Sequence, residues 1–111
     1  MRVISRRPLR EFAGKHPQAK TSLDAWYQAT RHATWKSLAD VRRMYPHADL
    51  VEGLTVFNIA GNRYRLITSI DYRKQTVYIG SVLTHAEYDK GGWKKSSCMP
   101  ASLIASQGLP N

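Results

Sequence analysis

The sequence predicts an α+β fold: an N-terminal strand and helices packed on an antiparallel sheet, closed by a short C-terminal helical turn. Two observations carry that prediction. Apolar residues recur at helical spacing through the first half, and strand-forming runs separated by turn residues fill the second. Val3-Ile4 suits a short opening strand. Pro8 fits the first turn of a helix, where its missing N–H costs nothing, and His16-Pro17 ends that helix. From Gln18, the positions Leu23, Trp26, Tyr27 and Thr30 follow the i, i+3, i+4, i+7 stripe of a second helix. Thr34 is the expected N-cap of a third, carrying Trp35, Leu38, Val41 and Tyr45 and stopping at Tyr45-Pro46.

Strand chemistry takes over at Thr55. The runs 55–60 and 63–70 flank Gly61-Asn62, a two-residue hairpin signal with Gly supplying positive φ. A third run, 76–83, follows the turn 71–75, and Thr84 to Lys90 reads as a helical turn before Gly91-Gly92. The hairpin fixes a register: Ala60 opposite Arg63, Ile59 opposite Tyr64, Asn58 opposite Arg65, Phe57 opposite Leu66. Phe57, Ile59, Tyr64 and Leu66 then share the core face, and Asn58, Arg63 and Arg65 share the other. Two guanidiniums beside an amide suit a phosphate, because Arg offers a fixed fork of donors and keeps its charge. The plainer reading is that they form the wet side of a two-faced sheet.

Composition points the same way. The chain has 111 residues, a formal net charge of +9 and a sequence pI near 10.1, which predicts an anionic partner, nucleic acid first. No run has the length of a membrane span and no secretory signal is readable, so the expectation is a soluble, cytoplasmic protein with no membrane partner. Cys98 is the sole cysteine, and His16, His32, His47 and His85 show no metal-ligand spacing with it, so neither a metal nor a cofactor is expected. His16, His32 and His47 read as surface residues.

His85 differs. It ends the last strand with Tyr88 one helical turn on, and imidazole is the side chain best matched to proton transfer near neutral pH. The alternative is a structural histidine at a helix start. Asp89 is placed to orient a neighbour or to cap a helix. Most aromatics fall at core spacing, and Trp93 is the better candidate for a nucleobase or partner contact. Residues 96–111 carry no charge and no period, and read as a flexible tail outside a domain spanning 1–95.

The segments Val56-Phe57-Asn58-Ile59-Ala60-Gly61-Asn62-Arg63-Tyr64-Arg65-Leu66-Ile67 and Leu83-Thr84-His85-Ala86-Glu87-Tyr88-Asp89-Lys90 together resemble the HigB-type toxins of bacterial type II toxin–antitoxin systems, within the RelE/ParE-like group. The resemblance extends over residues 1–95. It implies an mRNA endoribonuclease acting on translating ribosomes and neutralised by a HigA-like helix-turn-helix antitoxin. Arg65 takes the position of the phosphate-binding Arg that follows a Gly-rich turn in RelE-like nucleases, and Tyr88 that of their C-terminal Tyr near the scissile bond. His85 stands near a position where RelE has a basic Arg. The lysines that RelE carries ahead of its central hairpin have no match here. The implied reaction is metal-independent attack of the ribose 2′-OH on the adjacent phosphate, with Arg65, His85 and Tyr88 catalytic and Asn58 and Arg63 holding RNA. Two other readings stand beside it: a ParE-like toxin that poisons a DNA topoisomerase, and a non-catalytic basic RNA-binding module.

Overall fold

The computed structural model describes residues 1–91; the expectations for Trp93 and for the 96–111 tail lie outside the described residues. Strand β1 (Arg2–Ile4) leads into helices α1 (Arg7–Lys15), α2 (Lys20–Arg31) and α3 (Leu38–Met44). Strands β2 (Asp49–Val51), β3 (Leu54–Ile59), β4 (Tyr64–Asp71) and β5 (Thr76–Thr84) follow, and α4 (His85–Asp89) closes the described chain. The sheet order is β1-β5-β4-β3-β2. Its four later strands are antiparallel, while β1 joins the β5 edge in parallel, so the sheet is mixed.

Helix α1 carries Pro8 in its first turn and stops at His16, as the sequence requires. A 3₁₀ turn at Pro17–Ala19 hands the chain to α2. The third helix differs from expectation. It starts four residues after Thr34 with Ser37 as N-cap, and the Lys36 N–H donates to Asp40 at 2.8 Å. Trp35 lies ahead of the helix because its ring is needed in the core: it stacks on Phe57 at 6.0 Å, and Tyr45 and Trp26 close on the same ring at 5.4 and 5.3 Å. His16 is half-buried rather than a surface residue, stacked 4.3 Å from Phe12 and beside Tyr64.

The predicted register holds at Phe57↔Leu66, Asn58↔Arg65 and Ile59↔Tyr64, but not at the turn. Ala60 and Gly61 both take positive φ, 54° and 67°, so the connection is a four-residue loop from Ala60 to Arg63, tied by the Arg63 N–H to the Ala60 carbonyl at 3.4 Å. Ala60 and Arg63 therefore leave the ladder. Edge strand β2, absent from the sequence reading, turns into β3 through Glu52 (φ 52°) and Gly53 (φ 81°), both positive as a type I′ hairpin demands. In β5 the pairing skips Gly80, Ile67 facing Ser81 and Thr68 facing Ile79. That bulge keeps Val82, Ile79 and Val77 together on the helix side.

Both sheet faces are covered. The helices pack on Phe57, Ile59, Leu66, Val77 and Ile79, the main core. On the opposite face Leu54, Val56 and Ile67 are buried as a second cluster, flanked by Leu83 and Tyr88. Three phenols feel this packing: burial pushes Tyr45, Tyr72 and Tyr88 above the usual value near 10. Because the folded state holds these protons more tightly than the unfolded chain, stability is unaffected below the ordinary phenol pKa and falls as pH rises through the raised ones. These phenols therefore leave thermal midpoints unaffected at neutral pH and lower them steeply above about pH 10. A midpoint at about pH 11 equal to that at about pH 9 would contradict this burial.

Candidate functional site

The site is assembled at one end of the second sheet face, from the β3–β4 turn and the start of α4. Arg65 sits on β4 directly opposite Asn58 on β3, yet only 8% of it is exposed, so it is not part of a wet face. Its guanidinium is pinned to the turn. Nη2 donates to Asn62 Oδ1 at 2.7 Å, and Nη1 donates to the carbonyls of Asn62 and Tyr64 at 3.2 Å each. The guanidinium carbon lies 5.3 Å from the centre of the Tyr88 ring, within cation–π range. A cation held by three acceptors and an aromatic face is pre-oriented, which is what stabilising a developing phosphoryl charge requires.

Arg63 does not share the sheet face expected for it: it is exposed and lies in the turn rather than on the ladder, because the loop from Ala60 to Arg63 takes it out of the pairing. Its backbone has a different use. The Arg63 carbonyl accepts the His85 N–H at 3.0 Å, which ties the first residue of α4 to the hairpin turn. Thr84 caps that helix in a reciprocal box: the Glu87 N–H donates to Thr84 Oγ1 at 3.2 Å, and the Thr84 N–H donates to Glu87 Oε1 at 2.9 Å. Five residues are too few for a helix to persist alone, so capping and the Arg63 tie position His85 and Tyr88.

The side chain of His85 is about half exposed, with Nδ1 2.9 Å from Asp89 Oδ2. This contact places the carboxylate beside the imidazole at helical i, i+4 spacing. Tyr88 is half-buried, and its phenol is raised by burial first and then by the Asp49 carboxylate, with Arg65 opposing. It is therefore a protonated donor at neutral pH, not a base. Among the described residues no three His, Cys, Asp or Glu side chains gather as a metal would require.

Asn58, Arg65 and Tyr88 thus share the second face, with the His85 backbone tied to the same turn and the Arg63 side chain set apart from the ladder. Sequence reasoning missed Asn62, which orients the Arg65 fork, and Asp49, which faces Tyr88 from a strand that was not foreseen. Asn62 was legible as the amide three residues before Arg65. Asp49 carried no comparable signal. None of the described helices is long and apolar enough to cross a membrane.

Residues 19–91 match the family model of the HigB toxin, a RelE-like toxic component of a toxin–antitoxin system. The chain is 33% identical over 92 residues to a protein of Escherichia coli K12 named mRNA interferase toxin HigB, covering 80% of this chain and 88% of that one. It is equally similar to the mRNA interferase HigB of Shigella flexneri. A protein of the same name from Escherichia coli O6:H1 is 27% identical over 93 residues, with 81% and 90% covered. The matched stretch contains the pinned Arg65, its Tyr88 platform and the capped His85, and on this combined ground the chain belongs to the HigB family of RelE-like toxins.

Proposed function

We propose that the protein is an mRNA endoribonuclease, the toxin of a type II toxin–antitoxin pair, cutting translated mRNA at the ribosome in the cytoplasm. The observation that carries this is Arg65: a buried guanidinium, fixed by Asn62 and Tyr88, at the edge of a strongly basic protein whose relatives are named mRNA interferases. A HigA-like helix-turn-helix antitoxin is the expected partner of a toxin in this family. The functional unit is residues 1–95, which contain the whole family match.

RNA supplies its own nucleophile, so the protein need only hold and polarise. The 2′-OH attacks the adjacent phosphorus, the new P–O2′ bond forms and the P–O5′ bond breaks, leaving a 2′,3′-cyclic phosphate and a 5′-OH. Arg65 stabilises the charge that grows on the phosphoryl oxygens. The exposed imidazole of His85, with the Asp89 carboxylate 2.9 Å from Nδ1, accepts the 2′-OH proton. Tyr88 holds the guanidinium against its face and, being protonated, acts as a donor to the departing 5′ oxygen. Arg63 steadies the RNA backbone beside them, and Asn58 contacts the same strand. A ribosome that presents the mRNA in a reactive geometry lets so sparse a site suffice.

Inducing the protein should halt growth and leave cuts inside translated regions, read by primer extension. Intact mRNA with blocked DNA replication would refute the nuclease and favour a topoisomerase poison. His85→Ala should lower cutting by about 10²–10⁴, the usual contribution of a positioned proton-transfer group. Because the ring is exposed, its melting midpoint should stay close to the parent's.

A further inference from the structure

Strand β2 pairs with β3 only from Val51↔Leu54 to Asp49↔Val56, whereas β3 runs on to Ile59. Past Val56 the segment before β2 leaves the ladder, and a cleft of about 590 Å³ opens between it and the β3–β4 turn. That volume lies inside the range of about 300–1,000 Å³ typical of small-ligand sites. Met44, Tyr45 and His47 line one wall; Asn58, Gly61 and Asn62 line the other. The first wall is held in place. The Ala48 N–H donates to the Tyr45 carbonyl at 2.9 Å, Arg42 Nε donates to the Ala48 carbonyl at 3.0 Å, and the Tyr45 ring is packed on Phe57.

The chemistry of this cleft differs from that of its neighbour. No Lys or Arg lines it, so it is not built for a phosphate. Asn58 is half-buried and its amide makes no hydrogen bond among the described residues. Asn62 has given its Oδ1 to Arg65, which turns its two N–H donors to other use. His47 and Met44 are exposed, and an imidazole ring is a stacking surface. Side-by-side amide donors and acceptors beside a stacking ring match the edge and face of a nucleobase.

Resting on the endoribonuclease reading above, we infer that the cleft between the 44–48 segment and the β3–β4 turn binds the nucleobase of a nucleotide bordering the cut, with Asn58 and Asn62 reading its edge and His47 stacking on its face. Asn62 belongs to both places: it orients the Arg65 fork and lines the cleft, so the base and the scissile phosphate it serves are neighbours on one strand. The sequence preference of cutting is then set here, apart from the groups that move protons.

Mapping cut sites of the full-length protein, His47→Ala, His47→Phe and Asn58→Ala on one defined mRNA in a translation extract tests this. The parent should prefer certain bases at one position bordering the cut. His47→Ala and Asn58→Ala should flatten that preference by about tenfold, the scale of one stacked or paired base. His47→Phe, which keeps a stacking ring, should restore most of it. An unchanged preference in both alanine variants overturns the inference, and so does a uniform loss of cutting at all sites with the preference intact. Absence of cutting by the parent overturns the nuclease reading and this inference with it.

Discussion

Arg65→Ala is expected to reduce RNA cleavage by about 10²–10³, the cost of removing one preorganised donor to a developing oxyanion. The same change should lower stability by about 2–3 kcal/mol, because it deletes charge-assisted hydrogen bonds to Asn62 and Tyr64 that hold the β3–β4 turn. The two effects are separable with Arg65→Lys. Lysine keeps the charge but has no planar fork, and one ammonium cannot satisfy the Asn62 side chain and two carbonyls in the guanidinium geometry. Arg65→Lys should therefore cleave at least about tenfold more slowly while melting closer to the parent. Full activity in Arg65→Lys would mean that charge alone matters and that the pinned geometry has no catalytic part.

The largest stability effect is expected at Phe57→Ala, a loss of about 3–5 kcal/mol. Phe57 is fully buried, and its ring is shared by Trp26, Trp35 and Tyr45 from three separate segments of the chain. Edge and stacked contacts of this kind add to the simple cost of the lost area. Against a total stability of about 5–15 kcal/mol for a domain of this size, such a loss leaves a markedly weakened fold. An unfolding free energy from urea titration lowered by less than about 1 kcal/mol would mean that the helical layer does not close on the sheet through this ring.

The reach of the sequence is clearest along β3 and β4. Alternation and Gly61-Asn62 were enough to pair Phe57 with Leu66 and Asn58 with Arg65, because one face is packed and a one-residue slip would expose it. The same rule stopped short at the turn. Ala60 takes a left-handed conformation that few side chains favour, so nothing in its chemistry announced a four-residue loop. Strand β2 escaped for a similar reason: it is three residues long, and a Glu precedes the Gly where Asn or Asp is the usual sign of a type I′ turn.

Within the site, alternation misled in one respect. It assigns Arg65 to a solvated face, yet Leu54, Val56, Ile67 and Leu83 share that face and supply enough apolar surface to bury it. Counting those side chains on the supposedly wet side would have shown the second cluster. His85 and Asp89 were readable from their i, i+4 spacing once a helix was foreseen. Thr84, read as the first residue of that helical turn, is its N-cap, and the helix itself begins at His85. The cleft beside the β3–β4 turn was not readable, since it depends on where β2 stops pairing.

The most direct test of the account uses translating ribosomes on an mRNA with a single 2′-deoxynucleotide placed immediately 5′ of a mapped cut. If the 2′-OH is the nucleophile that Arg65, His85 and Tyr88 serve, cutting disappears at that position alone, and the unmodified message yields 2′,3′-cyclic phosphate and 5′-OH ends. Undiminished cleavage at the deoxy position, or 5′-phosphate ends on the unmodified message, would contradict it.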